Sequence, residues 1–175
     1  MTAAELVHLE LKRLHEALNG SLRGLTPEQR HAAPHPQANS IAWVVWHVVR
    51  TEDGIVRWVI QNRRAPVWTE GGYAEKLGLP PVTQGTGMPT AEAHALRIND
   101  VELWDEYVRK VWASTDEFFA GADPALFDKT ITVKPLGEMT VLRALTQVCV
   151  SHSNTHVGEI ELLRTLVGAR PVRDV

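Results

Sequence analysis

Apolar residues recur along this chain at helical spacing, and the interruptions between them mark where each helix should start and stop. Leu6, Leu11, Leu14 and Leu18, with Val7 and Leu9 nearby, form a stripe that ends at Asn19-Gly20. Ahead of it, Thr2-Ala-Ala-Glu5 has the form of a capping box, whose hydroxyl and carboxylate satisfy backbone donors at a helix start. A first helix is predicted between these signals. Thr26-Pro27-Glu28-Gln29 signals another start, but Pro34 and Pro36 confine it to a short turn, and residues 31–39 read as a loop.

Ser40 is positioned to cap a second long helix from Ile41 to Gln61. The β-branched residues of Ile41–Val49 would also suit a buried strand. Length decides for a helix: some 20 residues without proline, carrying Glu52, Asp53 and Arg57, exceed ordinary strand length. Valine and isoleucine lower helix propensity by only tenths of a kcal/mol. Pro66, Gly71-Gly72, Gly78, Pro80-Pro81, Gly85, Gly87 and Pro89 then make residues 62–89 a long irregular connection. It is expected to cross between the second and third helices and to cover one end of the molecule, with Trp68 and Tyr73 either lining a pocket or pinning the loop to the core.

Thr90 opens a third predicted helix reaching about Phe119, with Leu96, Leu103, Tyr107, Val111 and Phe118 near one face. Asp123-Pro124 caps a short turn, Asp128–Val133 is extended, and Gly137 breaks it. Thr140 opens a fourth helix that runs to Val167, where Gly168 and Pro171 stop it. The expectation is an all-α, four-helix bundle forming one domain over residues 1–175.

A chain of 175 residues can bury a core without disulfides or structural metal, so any metal here would be functional. The net charge of −3 and pI near 6.2 give no basic field for nucleic acid or an anionic membrane. Arg63-Arg64 reads as a solvated helix end. The single cysteine, Cys149, excludes an internal disulfide and a cysteine-only zinc site. Residues 1–25 carry charges throughout, and no run of about 18 apolar residues occurs, so a cytoplasmic protein is expected. Six tryptophans are most simply core residues.

The chemistry concentrates in the fourth helix. His152 and His156 are four residues apart, so on a helix they share a face and can grip one metal ion. The residue after His152 is Ser153, not the general-base glutamate that a zincin motif requires, which sets metalloproteases aside. His47 lies among Trp43, Val44, Trp46 and Val48, where an imidazole is either hydrogen-bonded in the core or bound to something. His8 and His15, two turns apart, are expected to be exposed or partly packed, and His94 exposed; His31 and His35 lie in a loop that offers no spacing rule. Cys149, three residues before His152, is a fourth ligand, a nearby thiol or a buried inert residue. Glu159, three residues after His156, is a partner to the site, an acid/base or a surface carboxylate. Gly158 would permit close helix approach.

Ser40-Ile-Ala-Trp-Val-Val-Trp-His47-Val-Val-Arg50-Thr-Glu-Asp53, together with His152-x-x-x-His156-Val-Gly158-Glu-Ile-x-x-Leu-Arg164, resembles the DinB/YfiT-like superfamily, in its DinB-like branch. The resemblance implies a four-helix bundle, commonly a homodimer, in which His47, His152 and His156 hold a divalent metal with positions left open. Zn²⁺ and Ni²⁺ suit imidazole best, with Fe²⁺ and Mn²⁺ also admissible. Similar proteins include transferases that use low-molecular-weight thiols such as mycothiol or bacillithiol. The implied function is therefore metal-dependent activation of a thiol in S-transfer to a small-molecule substrate, or of water in hydrolysis. The alternative is a non-catalytic, stress-related bundle that binds a metal or ligand.

Overall fold

The computed structural model describes residues 1–170; Pro171, expected to help stop the last helix, lies outside them. The chain is mostly helical, and four long helical segments supply the bulk of it. Helix α1 spans Ala3–Leu18, α2 Pro27–His31, and α3 Ile41–Asp53, continued by wider π-helical turns over Gly54–Ile60. Three short helices follow: α4 (Val67–Glu70), α5 (Tyr73–Leu77) and α6 (Thr90–Ala95). Helix α7 covers Val101–Gly121. A two-stranded hairpin, β1 (Thr130–Val133) and β2 (Gly137–Thr140), leads into α8 (Val141–Ala144), π-helical turns over Leu145–Ser151, and α9 (His152–Leu166).

The predicted caps form. Thr2 and Glu5 make a reciprocal capping box on α1, as do Thr26 and Gln29 on α2, and Ser40 accepts a hydrogen bond from the Trp43 amide at the start of α3. The single helix expected from Thr90 to Phe119 is two. Leu96 closes α6 in an extended conformation, and the Asp100 side chain accepts from the Leu103 amide and starts α7 afresh. The linking stretch carries the buried apolar residues Leu96 and Ile98 and no proline or glycine, which is why periodicity alone runs the two helices together. The sequence was also short of one strand. Gly137 (φ +92°) does not merely end the extended segment; it turns the chain so that β2 returns antiparallel, pairing Ile131 with Met139 and Val133 with Gly137.

Helix α3 is the centre of the molecule, packed against α7, α9 and the π-helical turns that precede α9. All thirteen of its residues are buried. At about 1.5–3 kcal/mol for each large apolar side chain removed from water, its tryptophans and valines are a principal source of stability. The polar residues at its C-terminal end are buried too, and the two carboxylates among them are partnered across the fold. Glu52 accepts from His15 Nε2 on α1, at 3.0 Å to both carboxylate oxygens, and from Thr115 Oγ1 on α7 at 2.6 Å. Asp53 accepts from the amides of Val67 and Trp68 and from the Tyr107 hydroxyl, which fastens the start of α4 to α3. Burial raises the Asp53 pKa against those hydrogen bonds.

His15 is therefore a buried residue, stacked on Trp112, and not the exposed or partly packed one its position on α1 suggests. The reason is its partner, which lies 37 positions away in sequence. His94 is half-buried and donates to the Ala38 carbonyl. Trp68 and Tyr73 pin the connection to the core: both are fully buried, the indole N–H of Trp68 donates to Pro80 and the Tyr73 hydroxyl to Glu106. Gly158 is exposed, and a Cβ there would meet nothing within 4 Å, so close helix approach does not explain it. Arg164 on α9 is buried and donates to the carbonyls of Ser21 and Arg170, tying α9 to the turn after α1. No helix among the described residues is long and apolar enough to cross a membrane.

Candidate metal centre

Three of the histidines meet. His47 comes from the middle of α3, and His152 and His156 from the first turns of α9, which packs against α3. The Nε2 atoms of His47 and His152 are 3.1 Å apart, as are those of His152 and His156. One ligand atom from each lies within 4.8 Å of the others, and no other group of three or more histidine, cysteine or acidic ligands among the described residues does so.

The outward nitrogens fix the state of two rings. Nδ1 of His47 is 2.5 Å from the Gln84 carbonyl oxygen, which can only accept, so that nitrogen carries the proton and Nε2 presents a lone pair. Nδ1 of His156 is 2.7 Å from Glu159 Oε2. The hydrogen bond from His156 holds the Glu159 carboxyl below its usual range, so the group is a carboxylate that receives the Nδ1 proton; Asn39 Nδ2 donates to its other oxygen at 3.3 Å. Two lone pairs thus point at His152 Nε2, which can donate one proton at most. A cation placed among the three Nε2 atoms satisfies all three rings at once, so this donor set fits an imidazole-preferring divalent metal.

Charge on two of the rings, His47 and His152, is disfavoured. Burial, assisted by the neighbouring imidazoles, lowers the His152 pKa to about 4, and burial also lowers that of His47 despite the Gln84 bond. These two imidazoles are accordingly held in the neutral form, the form that binds metal. His152 Nδ1 is buried and reaches only the Val148 carbonyl one turn back on its own helix, without good hydrogen-bond geometry, so this ring has a weaker outer anchor than the other two.

The connection delivers Gln84 to His47 through a glycine. Gly85 sits at φ +99°, and a Cβ there would lie 2.8 Å from Trp43 and 3.0 Å from Trp46. Trp43 in turn stacks on the His47 ring at 4.9 Å between centroids. Loop, tryptophans and histidine form one packed stack. Arg50, one turn beyond His47 on α3, donates to the carbonyls of Val82 and Thr83 and holds the same loop from the other side.

Cys149 does not join the cluster. It is buried at 1% exposure, and burial, with the charge of Glu52, pushes its thiol pKa well up. On an α-helix it would sit near the His152 face. Cys149 lies within the π-helical turns of Leu145–Ser151, whose wider winding means that three-residue spacing no longer implies a shared face. Of the two weaker candidates, Glu159 is thus at the site and Cys149 is not. Gln84 and Asn39 escaped sequence reasoning because both are loop residues; the one signal near Gln84 was the Gly85 and Gly87 pair beside it. A cavity of about 1060 Å³ opens on one side of the cluster, lined by His47 and His152 but not by His156.

A mostly helical chain with a partly buried three-histidine cluster defines a class of candidate metal-binding helical proteins. Its sequence specifies which: a profile of the DinB superfamily matches residues 10–160, and the chain belongs to that superfamily. A solved structure described as a conserved protein from Enterococcus faecalis superposes with a TM-score of 0.82 at 22% identity, covering 95% of this chain and 98% of that one. That likeness bears on the fold alone. No curated protein matches the chain.

Proposed function

We propose that the four long helical segments form a bundle around a divalent metal held by Nε2 of His47, His152 and His156, and that the site activates a low-molecular-weight thiol for transfer to an electrophile. The observation that carries this reading is the convergence of three Nε2 atoms in which two Nδ1 atoms already have acceptors. A divalent cation, when bound, supplies Lewis acidity that lowers the pKa of a thiol or a water.

The protein's own residues do the rest. Gln84 and Glu159 orient the His47 and His156 rings and increase their basicity. Three protein ligands leave room for an exogenous one, and the adjoining cavity is the side from which it enters. Trp43 and the connection over it keep water from the far side of His47. With water in place of a thiol the same arrangement performs hydrolysis.

Purified protein should bind about one Zn²⁺ or Ni²⁺ per chain, and His47→Ala and His152→Ala should each remove most of it. Unchanged metal content in either variant refutes the ligand assignment. Metal-loaded protein should then conjugate a thiol to monochlorobimane; metal binding without turnover of any thiol or ester would leave a non-catalytic metal-binding protein.

A further inference from the structure

The cavity beside the histidine cluster has a one-sided charge. Its lining includes Arg50, Arg63 and Lys134, and no aspartate or glutamate among the described residues, in a chain whose net charge is −3. Acidic side chains are numerous in the protein and absent from this surface. Arg50 is the unusual member: only 5% exposed, with its Nε buried and without a partner. Its guanidinium lies over the Trp68 ring at 4.7 Å and reaches the Tyr107 hydroxyl, while its terminal nitrogens make only long polar contacts, one at 3.3 and 3.5 Å from the Val82 and Thr83 carbonyls and the other 3.8 Å from Asp53. That carboxylate is already committed to the Val67 and Trp68 amides and the Tyr107 hydroxyl. A buried guanidinium in a concave site, with one N–H unpaired and its other contacts long, is what an oxyanion needs.

The exposed Arg63 and Lys134 line the solvent side of the same cavity. Arg63 is held over the Trp58 ring, 5.9 Å from its centroid, by a turn in which both Asn62 (φ 52°) and Arg63 (φ 65°) take left-handed backbone conformations. Such conformations persist only where the surroundings enforce them. Lys134, at the tip of the hairpin between β1 and β2, has no ion-pair partner among the described residues. Between these cations the wall is apolar, formed by Ile55, Trp58, Val59 and Leu136.

We infer that the cavity selects an amphiphilic organic anion: a carboxylate or phosphate group taken by Arg50, with Arg63 and Lys134 drawing it in, and an apolar body laid along Ile55, Trp58 and Val59 toward His47 and His152. This deepens the reading of the cavity as the substrate side of the histidine site and rests on it. The anion is recognised by the chain's own cations, so its binding does not require the metal.

Matched probes test this: hexanoate, hexyl phosphate and the neutral hexanamide, titrated calorimetrically into chelator-stripped and Zn²⁺-loaded protein. Both anions should bind the stripped protein about ten- to a hundredfold more tightly than the amide, the range for a hydrogen bond to a charged group. Their relative affinities identify the head group. Arg50→Gln should erase the preference. Because Arg50 is buried, the exposed pair Arg63→Glu with Lys134→Glu is a second variant that keeps the fold, and it should weaken anion binding and flatten its dependence on salt. Equal affinity for hexanamide and hexanoate overturns the inference, as does a preference untouched by both variants. A preference found only in Zn²⁺-loaded protein and abolished by His152→Ala would assign the anion to the metal and overturn the role of Arg50, while leaving the metal reading intact. Absence of any metal binding, with the anion preference retained in stripped protein, would do the reverse.

Discussion

Replacing Gly85 by alanine is the sharpest single test of how the loop builds the site. The added Cβ would stand 2.8 Å from Trp43 and 3.0 Å from Trp46, closer than carbon atoms pack, and the backbone there is at φ +99°. The unfavourable backbone conformation costs about 1–3 kcal/mol in an L-residue, and forcing a methyl group into a filled space costs about another 1–3 kcal/mol. Neither tryptophan can yield easily, since Trp43 is stacked on His47 and Trp46 is fully buried. The loop must therefore lift, and the Gln84 carbonyl leaves His47 Nδ1. Loss of such an outer partner lowers metal affinity about ten- to a hundredfold. Gly87→Ala is the control: its φ is +73° and its Cβ would meet nothing within 4 Å, so it carries backbone strain alone. Urea unfolding of the stripped proteins and Zn²⁺ competition against a chromogenic chelator measure the two consequences. If Gly85→Ala matches Gly87→Ala in both stability and Zn²⁺ affinity, the coupling between loop and His47 is wrong.

Three further outcomes are expected. Thr115→Val removes a 2.6 Å hydrogen bond to the buried Glu52 carboxylate at nearly constant volume and should cost about 1.5–3 kcal/mol in urea unfolding, without changing metal content. Stripped protein should lose stability on acidification. The His152 pKa is lowered in the fold from 6.5 to about 4, so across that interval the unfolded chain binds more protons and stability falls as pH falls; saturating Zn²⁺ should shift the onset to lower pH. Cys149 should resist a disulfide thiol reagent at neutral pH until the chain unfolds, because its thiol is buried and its pKa is well above the ordinary value; rapid reaction of the native protein would contradict that placement.

Much of the helical layout was legible because it is written in local chemistry. Thr2, Thr26, Ser40 and Thr140 each announce a helix start through a side chain that caps within three residues. The grouping of the three histidines was legible for the same reason, since an i, i+4 pair is a short-range pattern and His47 was conspicuous among apolar neighbours. What was hidden depends on partners far apart in sequence. Glu52 gives no sign that His15 and Thr115 will enclose it, and the carbonyl that orients His47 belongs to a residue 37 positions away. The π-helical turns before His152 were hidden too, because an extra residue in a turn leaves composition and apolar spacing almost unchanged.

Because all thirteen residues of α3 are enclosed, this helix has no side on which change is harmless. A saturation scan of α1, which alternates buried and exposed positions, should show tolerance rising and falling every three to four residues. On α3 that rhythm should vanish. The protein thus has a segment whose helical nature a catalogue of permitted substitutions would fail to reveal, and whose neighbours, not its own periodicity, dictate every residue it carries.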